Sequence, residues 1–105
     1  MTAKADLFIP AEARASLEMP PFWGRLTALA PQCAIFLSHF EVPAGRLLVL
    51  SFELGRGGFA EVRARIRSAR RDPDGYFGYE LDFVDAAQRA ALKAALIEAF
   101  PSIKL

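Results

Sequence analysis

Hydrophobic residues fall at every second position in three successive runs between Arg46 and Phe83. Leu48, Leu50, Phe52 and Leu54 share one parity. Val62, Ala64 and Ile66 alternate with Glu61, Arg63, Arg65 and Arg67. Phe77, Tyr79, Leu81 and Phe83 alternate with Gly78, Glu80 and Asp82. A period of two is the mark of a strand with one dry face and one wet face. The runs are punctuated by turn residues. Gly55-Arg56-Gly57-Gly58 suits a hairpin with positive φ angles, and Asp72-Pro73-Asp74-Gly75 suits a second reversal. Three antiparallel strands in a row are predicted.

The pattern is weaker upstream. Residues 1–12 read as an amino-terminal arm, in which Leu7-Phe8-Ile9 is an apolar knot ahead of Pro10. Ala13, Ala15, Leu17 and Met19 alternate with Arg14, Ser16 and Glu18, which predicts a first strand stopped by Pro20-Pro21. Phe22 to Leu29 forms a second strand, Ala30-Pro31-Gln32 a turn, and Cys33 to Leu37 a short, wholly apolar strand covered on both faces. Ser38 to Gly45 is a loop.

The end of the chain changes period. Asp85 is a good N-cap, and Ala86 to Phe100 is rich in strong helix formers. Leu92, Leu96 and Phe100 are four apart and share a face. Pro101 ends the helix. Its apolar stripe is expected to lie on the sheet over Leu47 and Val49. The reading is an all-β class: six antiparallel strands within about 13–84 forming a small barrel over residues 13–105, and one carboxy-terminal helix at about 86–100.

Size and composition fit this picture. A chain of 105 residues makes one domain, and 53% apolar residues suffice for a core without metal or disulfide support. The net charge of +1 argues against bulk attraction to nucleic acid or anionic membrane. The single cysteine, Cys33, cannot form an intrachain disulfide and suits a reducing compartment. The first residues lack a signal-peptide pattern, and the uncharged apolar runs are far shorter than the ~20 residues that span a bilayer. A soluble, cytoplasmic protein is expected.

Six short strands and a closing helix in this order resemble a PilZ domain. The likeness is clearest in Gly45-Arg46-Leu47-Leu48-Val49-Leu50-Ser51-Phe52-Glu53-Leu54, in Val62 to Arg67, in Gly78-Tyr79-Glu80-Leu81-Asp82-Phe83, and in Gln88, Arg89, Leu92 and Leu96. The resemblance implies a bacterial regulatory domain, and in most members a cyclic di-GMP receptor. That ligand is held by R-x-x-x-R in the arm and by [DN]-x-S-x-x-G between the second and third strands. Arginine forks grip phosphate and stack on guanine, and glycine lets the backbone approach. Here the first motif would fall at Lys4 to Phe8, where only Lys4 is charged. The second would fall at Ala28 to Cys33, with Ala28, Ala30 and Cys33 at its key positions. No shift rescues it, because no Asp or Asn lies between Asp6 and Asp72. Each charge-assisted bond is worth roughly 1.5–3 kcal/mol, and ~1.4 kcal/mol is tenfold in affinity. The expectation is a degenerate member that does not take cyclic di-GMP by the usual motifs.

Members of that kind, by resemblance, act through protein partners in motility, pilus, flagellar or secretion control. The expected function is therefore a non-enzymatic regulatory or adaptor module without cofactor or metal. Its partner surface would be edged by Phe8, Trp23, Leu29 and Pro31. One alternative is a cyclic di-GMP receptor with a non-standard site using Lys4, Arg14 and Arg25. Another is a small barrel binding nucleic acid along Arg63, Arg65 and Arg67. Against the last, the arginine row also fits a wet strand face in which Arg65 and Arg67 oppose Glu80 and Asp82. His39 stands without obvious co-ligands and reads as a surface residue. Cys33 reads as a small buried hydrophobe. No constellation for acid–base or nucleophilic catalysis is visible, so no catalytic residue is assigned.

Overall fold

A computed structural model describes residues 7–16 and 19–103. Six strands and one helix follow in order: β1 (Ile9–Arg14), β2 (Phe22–Leu29), β3 (Cys33–Ser38), β4 (Leu47–Leu54), β5 (Gly57–Arg71), β6 (Phe77–Phe83) and α1 (Ala86–Ala99). Every strand pairing is antiparallel, and the sheet closes on itself in the order β1-β2-β3-β6-β5-β4. Closure removes both edges of the sheet, so no row of open amides is left.

The dry parity of each strand points into the barrel. Leu48, Leu50, Phe52 and Leu54 of β4 meet Val62, Ala64 and Ile66 of β5, and Tyr79, Leu81 and Phe83 of β6 complete the wall. Leu92 and Leu96 of α1 are fully buried in the same core, and α1 packs against β4 and β6. Asp85 caps the helix, its carboxylate accepting the Gln88 amide at 2.9 Å. Leu47 stays 41% exposed, so the helix does not cover it. The stripe of α1 enters one end of the barrel instead of lying across the outer face of β4.

Strand β5 is long because it serves two hairpins. Its first part pairs with β4 and its last part with β6, overlapping at Ala64 and Arg65. Two irregularities bend it. Opposite Ser51 of β4 the register shifts by a residue, and Glu61 there holds φ +55°. Opposite β6 it shifts again at Arg67. This second bulge changes the expected facing of charges. Arg65 does lie opposite Asp82, but Ser68 rather than Arg67 lies opposite Glu80. Arg67, the extra residue, reaches Asp82 with two bonds of 2.9 and 3.1 Å and Glu80 at 3.6 Å. Arg65 bonds the Gly45 carbonyl at 3.1 Å.

Three further expectations need correction. Strand β1 runs from Ile9 to Arg14, so residues 9–12 belong to the barrel rather than to the arm, and Ala15 and Ser16 form a bend. Pro10 is tolerated because amides alternate in direction along a strand. The Leu7 amide bonds Thr27 of β2, so the nitrogen of Pro10 faces β4, whose pairing with β1 starts only at Ala11. Strand β3 is not covered on both faces: Ile35 is 40% exposed, because α1 packs elsewhere. Ser38 ends β3 rather than opening the loop. It is buried, with its hydroxyl donating to the Trp23 carbonyl at 3.1 Å.

Two close contacts fix the core. An added Cβ on Gly24 would lie 2.3 Å from the Leu37 carbonyl oxygen and 2.5 Å from Phe36 Cζ, so the strand fits only as glycine. The Phe36 ring in turn stacks with Tyr79, centroids 6.3 Å apart. The buried Tyr79 hydroxyl accepts the Val42 amide at 2.8 Å and donates to the Phe40 carbonyl, pinning the β3–β4 loop to the barrel. Burial pushes its pKa above the ordinary value. The Val42 bond pulls the other way, and the nearby Glu41 charge adds to the rise.

Candidate functional site

The outward positions of β2, β1, β4 and β5 form rows across the barrel. One row runs Trp23–Glu12–Ser51, and Ser51 faces the bulge at Ala60 and Glu61. The neighbouring row begins Arg25–Pro10. Between these strands lies a cleft of about 580 Å³, lined by Ile9, Pro10, Trp23, Phe59 and Ala60 together with the acids Glu12 and Glu53. Trp23 is 64% exposed. Phe59 is half-buried and stacks on the core residue Phe52, with centroids 5.5 Å apart.

The cleft lies beside the bulge. Where two residues of β5 oppose one of β4, the strand bends away and its twist increases. Glu61 occupies the left-handed region, uncommon for a residue with a side chain. Three bonds hold it. Its amide donates to Ser51 Oγ at 3.3 Å, its carbonyl accepts from Gln88 Nε2 at 2.9 Å, and the Arg63 amide donates to Gln88 Oε1 at 2.9 Å. The Gln88 side chain thus pairs with β5 as a strand would, just past the end of β6. Beside it the Arg63 guanidinium donates to Asp85 at 2.9 Å. The Gln88 amide first, and then Arg63, hold the Asp85 carboxyl below its ordinary pKa. A second hollow continues from the cleft past Glu12 and Ser51 to Arg14, Val49, Glu61, Arg63 and Gln88.

The sequence-assigned residues divide between this face and the interior. Trp23 lines the cleft. Phe8 is 70% exposed and lies one strand position beyond Ile9, with the Arg25 guanidinium 5.1 Å from its ring. Leu29 and Pro31 form no surface: Leu29 is 0% exposed and Pro31 is buried, because a register shift between Leu26 and Ala28 reverses the alternation of β2 and turns Leu29 inward, and the following turn folds onto the core. Of the alternative ligand set, Lys4 lies outside the described residues. Arg25 is stacked between Phe8 and Tyr76, 5.1 Å from each ring centroid. Arg14 is four positions along β1 from Pro10, the partner of Arg25, or about 13 Å away at ~3.3 Å per residue. Arg14 and Arg25 therefore do not converge. In the arginine row, Arg63 and Arg67 are engaged by acids and Arg65 by a carbonyl. His39 is exposed and stacks against Tyr76, centroids 4.0 Å apart. Cys33 is a buried free thiol. Among the described residues no group of three His, Cys, Asp or Glu side chains is placed to hold a metal ion, and no helix is long and apolar enough to cross a membrane.

Sequence reasoning missed Glu12, Glu53, Ser51 and Phe59. Glu53 and Ser51 were legible as the wet parity of β4, but only the closed topology brings β1 beside them.

Comparison with solved structures identifies the architecture. The crystal structure of the PilZ domain of CeSA from a cellulose-synthesizing bacterium superposes with a TM-score of 0.66, covering 96% of this chain and 97% of that one at 16% identity. The fold is that of a PilZ domain. The Bacillus subtilis inhibitor of motility, MotI/DgrA, matches with a TM-score of 0.69 at 13% identity over 98% of this chain. The chain spans about half of MotI/DgrA, 52% of its length. No protein-family model and no curated protein matches the sequence. The barrel fold is thus shared at identities of 13% and 16%, where no sequence match is found.

Proposed function

We propose that this PilZ-like domain is a non-enzymatic regulatory or adaptor module that works by protein contact. The observation that carries the reading is the outer β1–β2 face. Trp23, Pro10 and Phe8 stand exposed on it, and its cleft is walled by apolar side chains. Large apolar groups on the wet side of a barrel cost solubility, and tryptophan is enriched at interface hot spots. The solved neighbours are a PilZ domain and an inhibitor of motility, which supports regulation as the class. Partners of pilus, flagellar or secretion machinery fit the reading. The departure of residues 4–8 and 28–33 from the two cyclic di-GMP motifs supports contact over nucleotide capture.

The test pairs two measurements. Affinity for such partner proteins should fall with Trp23→Ala and Phe8→Ala; unchanged affinity in both ends the reading. Calorimetry with cyclic di-GMP should give no saturable heat at micromolar ligand. A saturable signal would favour the second reading, a receptor with a non-standard site. That reading draws on Arg25, whose guanidinium is already oriented between Phe8 and Tyr76.

A further inference from the structure

We infer that the cleft between Trp23 and Phe59 takes a cationic, partly aliphatic segment of a partner protein, with an arginine or lysine side chain seated against Trp23. This rests on the contact reading above and names the chemistry of what makes the contact. The charge in the lining decides it. Glu12 lies opposite Ser51 and Glu53 follows two positions along β4, so the two carboxylates are diagonal neighbours, roughly 7–8 Å apart between Cα atoms. Neither has a hydrogen bond or ion pair among the described residues. The acids of β6 and of the helix cap are instead spent on arginine: Asp85 on Arg63, and Asp82 and Glu80 on Arg67. Two carboxylates without an ion pair among the described residues therefore stand in the same cleft as the exposed Trp23.

The shape agrees with the charge. A guanidinium or ammonium gains from an aromatic face and from a carboxylate at once, and its methylene stem packs on apolar surface. Trp23 offers the face, Ile9 and Pro10 the apolar lining, and Glu12 and Glu53 the countercharges. Strand addition is closed to the partner here, because β1, β2 and β4 are each paired on both sides. Recognition must pass through side chains, which places the specificity on these few groups.

The probe is the peptide acetyl-Ala-Leu-Arg-Leu-Arg-Ala-amide, titrated into the ¹⁵N-labelled full chain. Its twin carries glutamate in place of both arginines. The basic peptide should move the Trp23 indole signal and the amides of Glu12, Ser51, Glu53 and Phe59 at millimolar concentration, and the acidic twin should not. The effect should weaken as salt is raised. The Glu12→Gln/Glu53→Gln variant should bind about tenfold or more weakly while its unshifted spectrum shows it folded. No shifts with the basic peptide, equal shifts with the twin, or unchanged affinity in the double variant would each overturn the inference. Heat from cyclic di-GMP would instead strike the reading beneath it, so the two failures are told apart.

Discussion

Two places in the walls of this barrel contrast: one is packed too tightly for an added atom and the other is opened by an extra residue. At Gly24 the β2–β3 wall is drawn so tight that a single methyl group has no room. At Glu61 the β4–β5 wall is opened by an extra residue whose backbone adopts a form that glycine would hold more easily. The first sequence choice serves the core. The second runs against local preference and lies beside the exposed cleft, where departures from local consistency cluster in functional proteins. A barrel can hold one wall too tight for a methyl group and still present a hollow beside another.

Substitutions can break this contrast or sharpen it. The largest effect is expected from Gly24→Ala. One clash is with a backbone carbonyl, which no rotamer change relieves, so the loss should be about 3 kcal/mol or more in urea unfolding. Adding Phe36→Leu should recover little of it, since the Leu37 carbonyl remains.

Tyr79→Phe comes next. It leaves the Val42 amide and the Phe40 carbonyl without their partner, for about 1–3 kcal/mol. The sign of its pH effect follows from the raised phenol pKa. Stability from the neutral hydroxyl is present below the ordinary tyrosine range and is lost as pH climbs through the folded value. The variant should lose the late step in an ultraviolet phenolate titration.

The helix cap has the opposite sign. The folded carboxyl of Asp85 titrates lower than its unfolded counterpart, so its contribution is present above the ordinary carboxylate range and lost as pH falls through the folded value. Urea midpoints of wild type and Asp85→Asn should differ at neutral pH and converge in acid. A difference that persisted there would refute the assignment.

At the bulge, Glu61→Gly should leave stability unchanged or raise it by up to about 1 kcal/mol, because relief of the left-handed cost competes with glycine's greater freedom when unfolded. Glu61→Val should lower it. Smallest of all, Trp23→Ala should shift stability by no more than about 0.5 kcal/mol, as its side chain stands outside the core. A larger loss would make Trp23 structural and weaken its reading as a contact residue.

Much of this architecture was legible in the chain. The period of two between Leu48 and Phe83, the turn at Asp72 to Gly75 and the cap at Asp85 all follow from local rules that the packing reinforces. Strand β1 was placed too far along because the alternation of Ala13 and Ala15 with Arg14 and Ser16 continues past Arg14, where the chain bends, while Leu17 and Glu18 of the expected strand lie outside the described residues; which amides need a partner depends on neighbours far along the chain. Leu29 and Pro31 looked available because a short apolar turn does not say which way it folds. The bulge at Glu61 left no mark, since glutamate is a poor signal for a positive φ. The cleft was hidden for a related reason: Glu12 and Glu53 are 41 positions apart and become neighbours only when the barrel closes.

The Gln88 side chain grips β5 at two points, so the first turn of α1 and the bent wall of the cleft share one fastener. Neither can be re-indexed alone. Lengthening the link between Val84 and Gln88 by one amino acid would rotate that amide roughly 100° around the helix and strip both points together. The carboxy-terminal segment is thus the gauge against which the opening on the barrel's far strands is set.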